Sequence, residues 1–315
     1  MINYSIIIPH YNIPDLLGRC LRSIPERDDV QVIVVDDNSP GNENYLSTLP
    51  ELKRKNVEFY VTKDGLGAGH ARNVGLSHAV GKWLVFSDSD DFFVDDFSEI
   101  LDKYVDDNSD IIYFNIKSCD CYDRNKIYDA DKLDVYRNTQ DDIYLRVCNT
   151  EPWGKFIKRD LVVDNNIEFQ ETKAHNDLLF AVKTGLTAKT VNVIDEPLYW
   201  YVIREGSLGH NKGAEPIEKI CDRVKAWHTT QLYLEGKGIK TTFYLPIVTC
   251  IRAFKKSKLA YFYLLKYMKK NDMYYWRIIK DTIRYGYYRV FDVEALSFPK
   301  MLTKESINSY KNITK

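Results

Sequence analysis

The first 118 residues carry five short runs of aliphatic and β-branched residues, separated by segments with the spacing of amphipathic helices. Runs of this length, bounded by polar or turn-forming residues, are typical of strands buried on both faces of a sheet. Strands that alternate with helices favour a mostly parallel sheet flanked by helices, so we predict the α/β fold class. The predicted strands are Tyr4–Pro9, Gln31–Asp36, Val57–Val61, Trp83–Ser87 and Asp110–Ile116.

The last third of the chain has a different pattern and a different charge. From Glu215 onward the spacing turns helical, so we predict an α/β domain over residues 1–215 and a helical region over residues 216–315. Residues 251–315 hold 15 Lys and Arg against 5 Asp and Glu, interleaved with aromatic residues, although the whole chain has a net charge of −1. This composition predicts either binding to an anionic membrane surface or a helical subdomain with an aromatic core, and it leaves both open. We expect no nucleic-acid partner, because nothing beyond the basic and aromatic residues supports one.

The overall composition, 44% hydrophobic and 28% charged, is typical of a globular protein and excludes collagen, coiled-coil and disordered chains. No apolar run approaches the roughly 18–20 residues that cross a bilayer. The six cysteines are irregularly spaced and fit neither a disulfide framework nor a zinc site. The first residues read as a buried strand rather than a secretory signal, so we expect a cytoplasmic protein. Peripheral attachment to the inner face of the cell membrane is expected if the basic tail binds lipid.

Polar residues follow four successive predicted strands at the points where the strands end. Tyr11 and Asn12 follow the first strand, and Asp37 follows the second. The glycine-rich segment 65–69 follows the third strand, and the acidic segment 88–91 follows the fourth. Ligands of open α/β sheets bind beyond the carboxyl ends of the strands, so we expect the functional site at this edge.

The acidic segment carries three carboxylates in four residues, on Asp88, Asp90 and Asp91. Neighbouring carboxylates repel each other by roughly 1 kcal/mol per pair at about 4 Å in water, and by more in a partly buried cleft. A divalent cation relieves this repulsion, and oxygen ligands favour Mg²⁺ or Mn²⁺. A helix N-terminus with Asp in its first turn explains the same pattern, so both interpretations stay open.

The glycine-rich segment invites comparison with the dinucleotide-binding fingerprint of oxidoreductases. The third glycine of that fingerprint would fall at His70, and the glycines follow the third strand instead of the first. An alternative is a loop that lets backbone approach a phosphate, with Arg72 pairing to it. Arg72 as an ordinary charge on a helix surface remains the other interpretation.

Six segments together resemble the ordered motifs of family 2 glycosyltransferases of the GT-A fold. The resemblance runs over residues 3–210, two-thirds of the chain, and implies a bacterial enzyme that depends on a nucleotide sugar. Each motif alone is weak, whereas the motifs in the right order and spacing are specific. The segments are 5–12 (SIIIPHYN), 32–39 (VIVVDDNS), 71–76 (ARNVGL), 86–91 (FSDSDD), 152–155 (PWGK) and 197–201 (PLYWY).

The resemblance implies a set of residues that bind the nucleotide. Asp37 matches a position that accepts a hydrogen bond from uracil, and Arg72 matches a position that contacts ribose and phosphate. The complete set implied for the nucleotide is Pro9, Tyr11, Asn12, Asp37, Arg72 and Asp88.

The resemblance also implies a metal site and a catalytic base. Asp90 is the expected ligand of Mn²⁺ or Mg²⁺, with Asp88 on the metal or the ribose and His210 completing the site. In the family an acidic pair before an apolar helix supplies the base. Here only the second member, Asp177, is present, because Asn stands where the family usually has Glu. Trp153 is either a core residue or the platform for an acceptor sugar.

The resemblance therefore implies an inverting glycosyltransferase, a hexosyltransferase of polysaccharide or glycan biosynthesis. Its expected donor is a nucleotide-diphospho-sugar, UDP-linked, and its expected acceptor is a hydroxyl of a glycan or lipid-linked glycan. The motifs contact the nucleotide and the metal, so they specify neither the donor sugar nor the acceptor. One alternative is a catalytically silent nucleotide- or carbohydrate-binding protein of the same fold, and a dinucleotide-dependent oxidoreductase is the less favoured one.

Overall fold

The computed structural model describes residues 1–121, 123, 125–128, 131–204, 216–239, 253–254, 258–271 and 273. The chain divides into two compact units. The first unit comprises Met1–Glu171 and Phe180–His210, and the second comprises Thr172–Leu179 and Asn211–Lys315.

In the described part of the first unit, nine strands form one sheet in the order β3-β2-β1-β4-β8-β6-β9-β5, with β7 paired to β6. The strands are β1 (Tyr4–His10), β2 (Val30–Asp36), β3 (Val57–Val61), β4 (Trp83–Phe86), β5 (Phe92–Phe93), β6 (Ile111–Asp120), β7 (Ile127–Tyr128), β8 (Lys155–Lys158) and β9 (Val191–Ile203).

Helices connect these strands and continue into the second unit. The α-helices are α1 (Pro14–Arg22), α2 (Tyr45–Thr48), α3 (Ala68–His78), α4 (Phe97–Tyr104), α5 (Asp134–Thr139), α6 (Ile143–Cys148), α7 (Arg159–Val163), α8 (Leu178–Thr187), α9 (Ile217–Gly236) and α10 (Lys258–Lys270). Short 3-10 helices at Asn42–Asn44 and Pro50–Lys53 flank α2.

The first four strands of the sheet order are mutually parallel, as predicted. In register, His10 at the end of β1 pairs with Asp36 at the end of β2, and Asp36 pairs with Val61 at the end of β3. Strand β4 ends beside the middle of β1, where Phe86 pairs with Ile7. The carboxyl ends of four strands therefore meet at one edge, and the residues that follow them are brought together there.

The other half of the sheet is mixed. Strand β8 lies antiparallel to both β4 and β6, and β9 is parallel to β6 while antiparallel to β5. The predicted α/β fold class with flanking helices is confirmed, but the sheet is mixed rather than mostly parallel, because β8, β5 and β7 pair antiparallel with their neighbours.

Strand β1 is buried along its whole length, and this explains its uninterrupted apolar sequence. Ile6 and Ile8 belong to one hydrophobic core, together with residues of α1 and α4, and Ile7 belongs to the core on the opposite face. Alternate residues of a strand point to opposite faces, so a strand covered on both sides needs apolar residues throughout. Helix α3 approaches β1 closely, because a Cβ on Gly75 would lie 2.5 Å from Ile7 Cγ2.

The described residues of the second unit from Pro216 onward are mainly helical, as predicted for this region. Helices α9 and α10 share a core that includes Ile220, Val224, Leu264 and Met268. Among the described residues, no helix is both long enough and apolar enough to cross a membrane. Most of the basic and aromatic tail, from residue 274 onward, lies outside the described residues.

Candidate active site

The loops after β1 and β2 are tied together at the carboxyl edge of the sheet. The Asp37 N–H donates to the His10 carbonyl at 2.8 Å, and the Asn12 N–H donates to Ser39 Oγ at 2.7 Å. Asp36 in turn accepts hydrogen bonds from the backbone and the hydroxyl of Ser39, both at 2.7 Å. Asp36 is therefore occupied in shaping this loop. Tyr11 is 57% exposed, so its ring is available to a ligand.

Asp37 links the second strand end to the third. Its buried carboxylate accepts the Gly67 N–H at 2.7 Å and the Thr62 hydroxyl at 3.1 Å. Gly65 and Gly67 have φ of 58° and 99°, which glycine adopts without steric cost, so the glycine-rich segment can turn toward Asp37. This is the physical use of the glycines that resembled a dinucleotide fingerprint.

Arg72 joins this loop system to the acidic segment. It lies in α3, is buried, and donates from Nη2 to Asp88 Oδ1 at 2.5 Å. Its guanidinium carbon lies 5.4 Å from the centre of the Phe169 ring. The buried arginine thus faces the acidic segment and is not an exposed surface charge.

Asp91 is a structural carboxylate. Its Oδ2 accepts a hydrogen bond from the Tyr199 hydroxyl at 2.9 Å, and its Oδ1 accepts the Val202 N–H at 2.7 Å. Burial and the neighbouring charge of Asp90 raise the pKa of Asp91 well above its usual range. Asp91 is followed by strand β5 rather than by a helix, so it fastens the acidic segment to β9 and does not cap a helix.

Asp90 is held by two arginines. Its Oδ2 accepts a hydrogen bond from Arg204 Nε at 2.7 Å, and its backbone carbonyl accepts one from Arg19 Nη2 at 2.5 Å. Burial and the charge of Asp88 raise the pKa of Asp90, and the ion pair with Arg204 partly offsets this effect. Asp88 and Asp90 thus each pair with one guanidinium.

The donor set of this cluster fits a divalent cation that is held jointly with a substrate. Asp88 and Asp90 offer hard carboxylate oxygens, and in the described residues no side chain besides Arg72 and Arg204 donates to them. The described part of the chain contains no group of three or more His, Cys, Asp or Glu side chains placed to hold a metal ion. Magnesium is usually held by one or two carboxylates plus substrate phosphates, so a pair of aspartates suffices.

Three stacked aromatic rings lie next to the acidic segment. Trp153 stacks on both Tyr199 and Tyr201, with its ring centre 5.4 Å from that of Tyr199 and 5.5 Å from that of Tyr201. Trp153 is 7% exposed and belongs to the main core, whereas Tyr201 is half-buried. Burial and the charges of the aspartate segment raise the pKa of Tyr201 to about 12. Tyr201 is therefore the most exposed of these three rings.

Tyr199 and Arg19 contact the acidic segment, and neither was predicted from the sequence as a site residue. The Tyr199 hydroxyl accepts the Asp88 N–H at 2.8 Å and lies 3.2 Å from Ser87 Oγ. Tyr199 belongs to one of the family-like motifs, which was the available signal. Arg19 had no signal beyond its place in α1.

The other predicted site residues are Pro9, Asp177 and His210. Pro9 is buried in β1. Asp177 lies in the segment Thr172–Leu179 of the second unit, is half-buried, and immediately precedes α8. His210 lies outside the described residues. His10, between Pro9 and Tyr11, is buried with no hydrogen-bond partner on either ring nitrogen in the described part of the chain.

Comparison with known proteins identifies the class. Residues 5–164 match the model of Glycosyl transferase family 2, about half of the chain, so the chain belongs to this family. The family resemblance read from the motifs is confirmed.

Individual relatives are similar over most of this chain. The poly(ribitol-phosphate) beta-N-acetylglucosaminyltransferase TarS of Staphylococcus aureus strain MW2 is 25% identical over 344 residues, 93% of this chain and 58% of that protein. The cholesterol galactosyltransferase of Borreliella burgdorferi is 24% identical over 318 residues, 95% of this chain and 84% of that protein. The chain thus spans little more than half the length of TarS.

A solved structure confirms the fold. The crystal structure of S. aureus TarS residues 1–349 in complex with UDP-GlcNAc matches with a TM-score of 0.58 at 19% identity. The match covers 99% of this chain and 79% of that one. At this identity the match shows the fold, which is the expected GT-A type.

Proposed function

We propose that this chain transfers a sugar from a nucleotide-diphospho-sugar to a hydroxyl of an acceptor. The observation that carries the proposal is the pair Asp88 and Asp90, each bound to a guanidinium, at the carboxyl edge of the parallel strands. Membership of the glycosyltransferase family supports this interpretation over a dinucleotide-dependent oxidoreductase.

The proposed donor is UDP-linked. Asp37 is fixed by Gly67 and Thr62, and a carboxylate has lone pairs left to accept an N–H from a nucleotide base. The exposed ring of Tyr11 offers a stacking face beside it. Arg72 is the proposed partner of ribose and phosphate. The UDP-GlcNAc complex of a protein with the same fold supports a uridine nucleotide.

Asp90 and Asp88 are the proposed holders of Mn²⁺ or Mg²⁺. When bound, the cation neutralises charge on the departing diphosphate. Arg19 holds the Asp90 backbone through its carbonyl, and Tyr199 holds the Asp88 backbone through its N–H, so the backbone that carries both carboxylates is fixed. We propose that His210 completes this site.

The proposed reaction inverts the anomeric centre. The acceptor oxygen forms a bond to the anomeric carbon while the bond from that carbon to the diphosphate oxygen breaks. The diphosphate leaves with the electron pair, and the proton of the acceptor hydroxyl passes to the Asp177 carboxylate. Asp177 is proposed on its motif position before α8, where the residue is half-buried. Trp153, through its stack with Tyr201, is the proposed support for the acceptor.

The acceptor is proposed to be a glycan or lipid-linked glycan in polysaccharide biosynthesis, because relatives are named for transfer to poly(ribitol-phosphate). Attachment to the cytoplasmic face of an anionic membrane would bring the enzyme to a lipid-linked acceptor. Helix α10 supports this proposal: Leu259, Phe262 and Tyr263 are 80%, 63% and 50% exposed, and Lys258 and Lys266 flank them. Apolar rings beside lysines suit an anionic lipid surface.

Vesicle co-sedimentation tests the attachment. We expect binding to phosphatidylserine-containing vesicles, little binding to neutral phosphatidylcholine vesicles, and weaker binding for Phe262→Ser. Equal binding to both vesicle types, or binding to neither, contradicts the electrostatic attachment.

UDP release tests the proposed activity. The protein is incubated with UDP-Glc, UDP-Gal and UDP-GlcNAc, each with and without Mn²⁺, and free UDP is measured. We expect Mn²⁺-dependent UDP release with at least one donor. UDP binding without release from any donor would favour the catalytically silent binding protein instead.

A further inference from the structure

Asp90, a proposed metal ligand, forms an ion pair with Arg204. Arg204 Nε lies 2.7 Å from Asp90 Oδ2, and the two side chains are 23% and 20% exposed. Arg204 directly follows β9, whose Val202 N–H is bound by the neighbouring Asp91. The guanidinium is thus held over Asp90 by the same strand that anchors the acidic segment.

A guanidinium and a divalent cation compete for the same carboxylate. Arginine stays protonated in proteins and only donates, so its hydrogen bond occupies a lone pair of Asp90 Oδ2 and its positive charge repels a cation at the same carboxylate. The charges of Asp88 and Asp90 are each compensated by a guanidinium, Arg72 and Arg204. A cation that arrives alone therefore meets carboxylates whose charge is already compensated, and little attraction offsets its dehydration. A nucleoside diphosphate that arrives with the cation supplies the missing negative charge.

We infer that Arg204 is a positioning residue that holds Asp90 in the donor-free protein and competes with the divalent cation. Tight cation binding then requires the negative charge of a nucleoside diphosphate, which makes the two ligands bind cooperatively. This inference rests on the proposed function, because it takes Asp90 as the cation ligand. Linkage makes the effect reciprocal: each ligand raises the affinity of the other by the same factor.

The test is a titration of the full chain with Mn²⁺ alone, followed by electron paramagnetic resonance of free Mn²⁺, and repeated with saturating UDP. For Arg204→Gln we expect the Mn²⁺ dissociation constant without UDP to fall at least about fivefold, the lower end of typical coupling between linked sites. The factor by which UDP tightens Mn²⁺ binding should shrink accordingly. Tighter binding is not what a merely disturbed loop produces, because disorder would weaken Mn²⁺ and UDP binding together.

Arg22→Gln is the matched control. It removes the same charge from an ion pair at the C-terminal end of α1, in which Arg22 is 59% exposed and Glu51 is largely buried, and it should leave the Mn²⁺ dissociation constant unchanged. Arg204→Lys keeps the charge beside Asp90 and should stay closer to wild type than Arg204→Gln.

The outcomes separate this inference from the proposed function. Mn²⁺ binding to Arg204→Gln that is equal to or weaker than wild type, with UDP release intact in the wild type, overturns the inference alone. Absence of Mn²⁺ binding in every variant, even with UDP, overturns the metal part of the proposed function and the inference with it.

Discussion

The hydroxyl of Tyr199 connects β9 to the acidic segment, and its removal tests how the site is held. Tyr199 is fully buried, and burial raises the pKa of its hydroxyl, so the group stays protonated and can donate. It donates to Asp91 Oδ2 at 2.9 Å and accepts the Asp88 N–H at 2.8 Å. Tyr199→Phe deletes both contacts, and the longer 3.2 Å contact with Ser87 Oγ, while it keeps the ring stacked on Trp153.

The cost follows from these two contacts. A hydrogen bond to a charged group contributes about 1.5–3 kcal/mol, and a neutral one contributes about 0.5–1.5 kcal/mol. We therefore expect Tyr199→Phe to lower the free energy of unfolding by about 2–4 kcal/mol. We also expect weaker UDP binding in the presence of Mn²⁺, because the Asp88 backbone loses its anchor.

Urea unfolding followed by far-UV circular dichroism measures the first effect, and calorimetric titration measures the second. Tyr45→Phe is the matched control, because Tyr45 is buried and its hydroxyl makes no hydrogen bond within the described residues. We expect the control to change stability by less than about 1 kcal/mol. A loss for Tyr199→Phe no larger than that of Tyr45→Phe would refute the reasoning.

Two further predictions concern titratable groups. Burial lowers the pKa of His10 to about 4 from 6.5, so the folded protein keeps the ring neutral where the unfolded chain would protonate it. The contribution of neutral His10 to the free energy of unfolding is therefore complete above pH 6.5 and is lost as the pH falls toward 4. Between pH 7 and about pH 4.5 the free energy of unfolding, measured with urea, should fall by about 2–3 kcal/mol through this group. His10→Phe should lack this fall. An unchanged pH dependence in the variant contradicts the assignment. Asp177→Asn should fold normally and bind UDP with Mn²⁺, because Asn also caps helices, whereas its transfer rate should fall by at least about a hundredfold. A transfer rate near wild type would place the base elsewhere, with Glu171 the next residue to substitute.

The sequence predicted the parallel half of the sheet well. Val57–Val61 was predicted with the bounds that β3 has, and β1, β2 and β4 each differ from the prediction by one residue at one end. These strands are buried on both faces, so burial alone produces an unbroken apolar run that is visible without knowledge of the partners. The family motifs then indicated at which strand ends the site is expected.

Contacts between segments distant in the sequence could not be predicted. Strand β8 inserts antiparallel between β4 and β6, and no local pattern in a four-residue strand specifies its neighbours. The ion pair of Asp90 with Arg204 joins residues 114 positions apart, and only the folded sheet brings them together. The base role of Asp177 and the domain division at residue 215 stay predictions.

The central claim is that Asp90 holds a divalent cation together with the diphosphate of a nucleotide sugar. Calorimetric titration of UDP in the presence of Mn²⁺ into wild type and into Asp90→Ala tests it most directly. We expect the wild type to bind UDP in a Mn²⁺-dependent manner. We expect Asp90→Ala to stay folded, because relief from the charge of Asp88 and from desolvation offsets the lost ion pair with Arg204, and to lose the Mn²⁺-dependent part of UDP binding. Equal, Mn²⁺-dependent affinity for UDP in both proteins would contradict the claim.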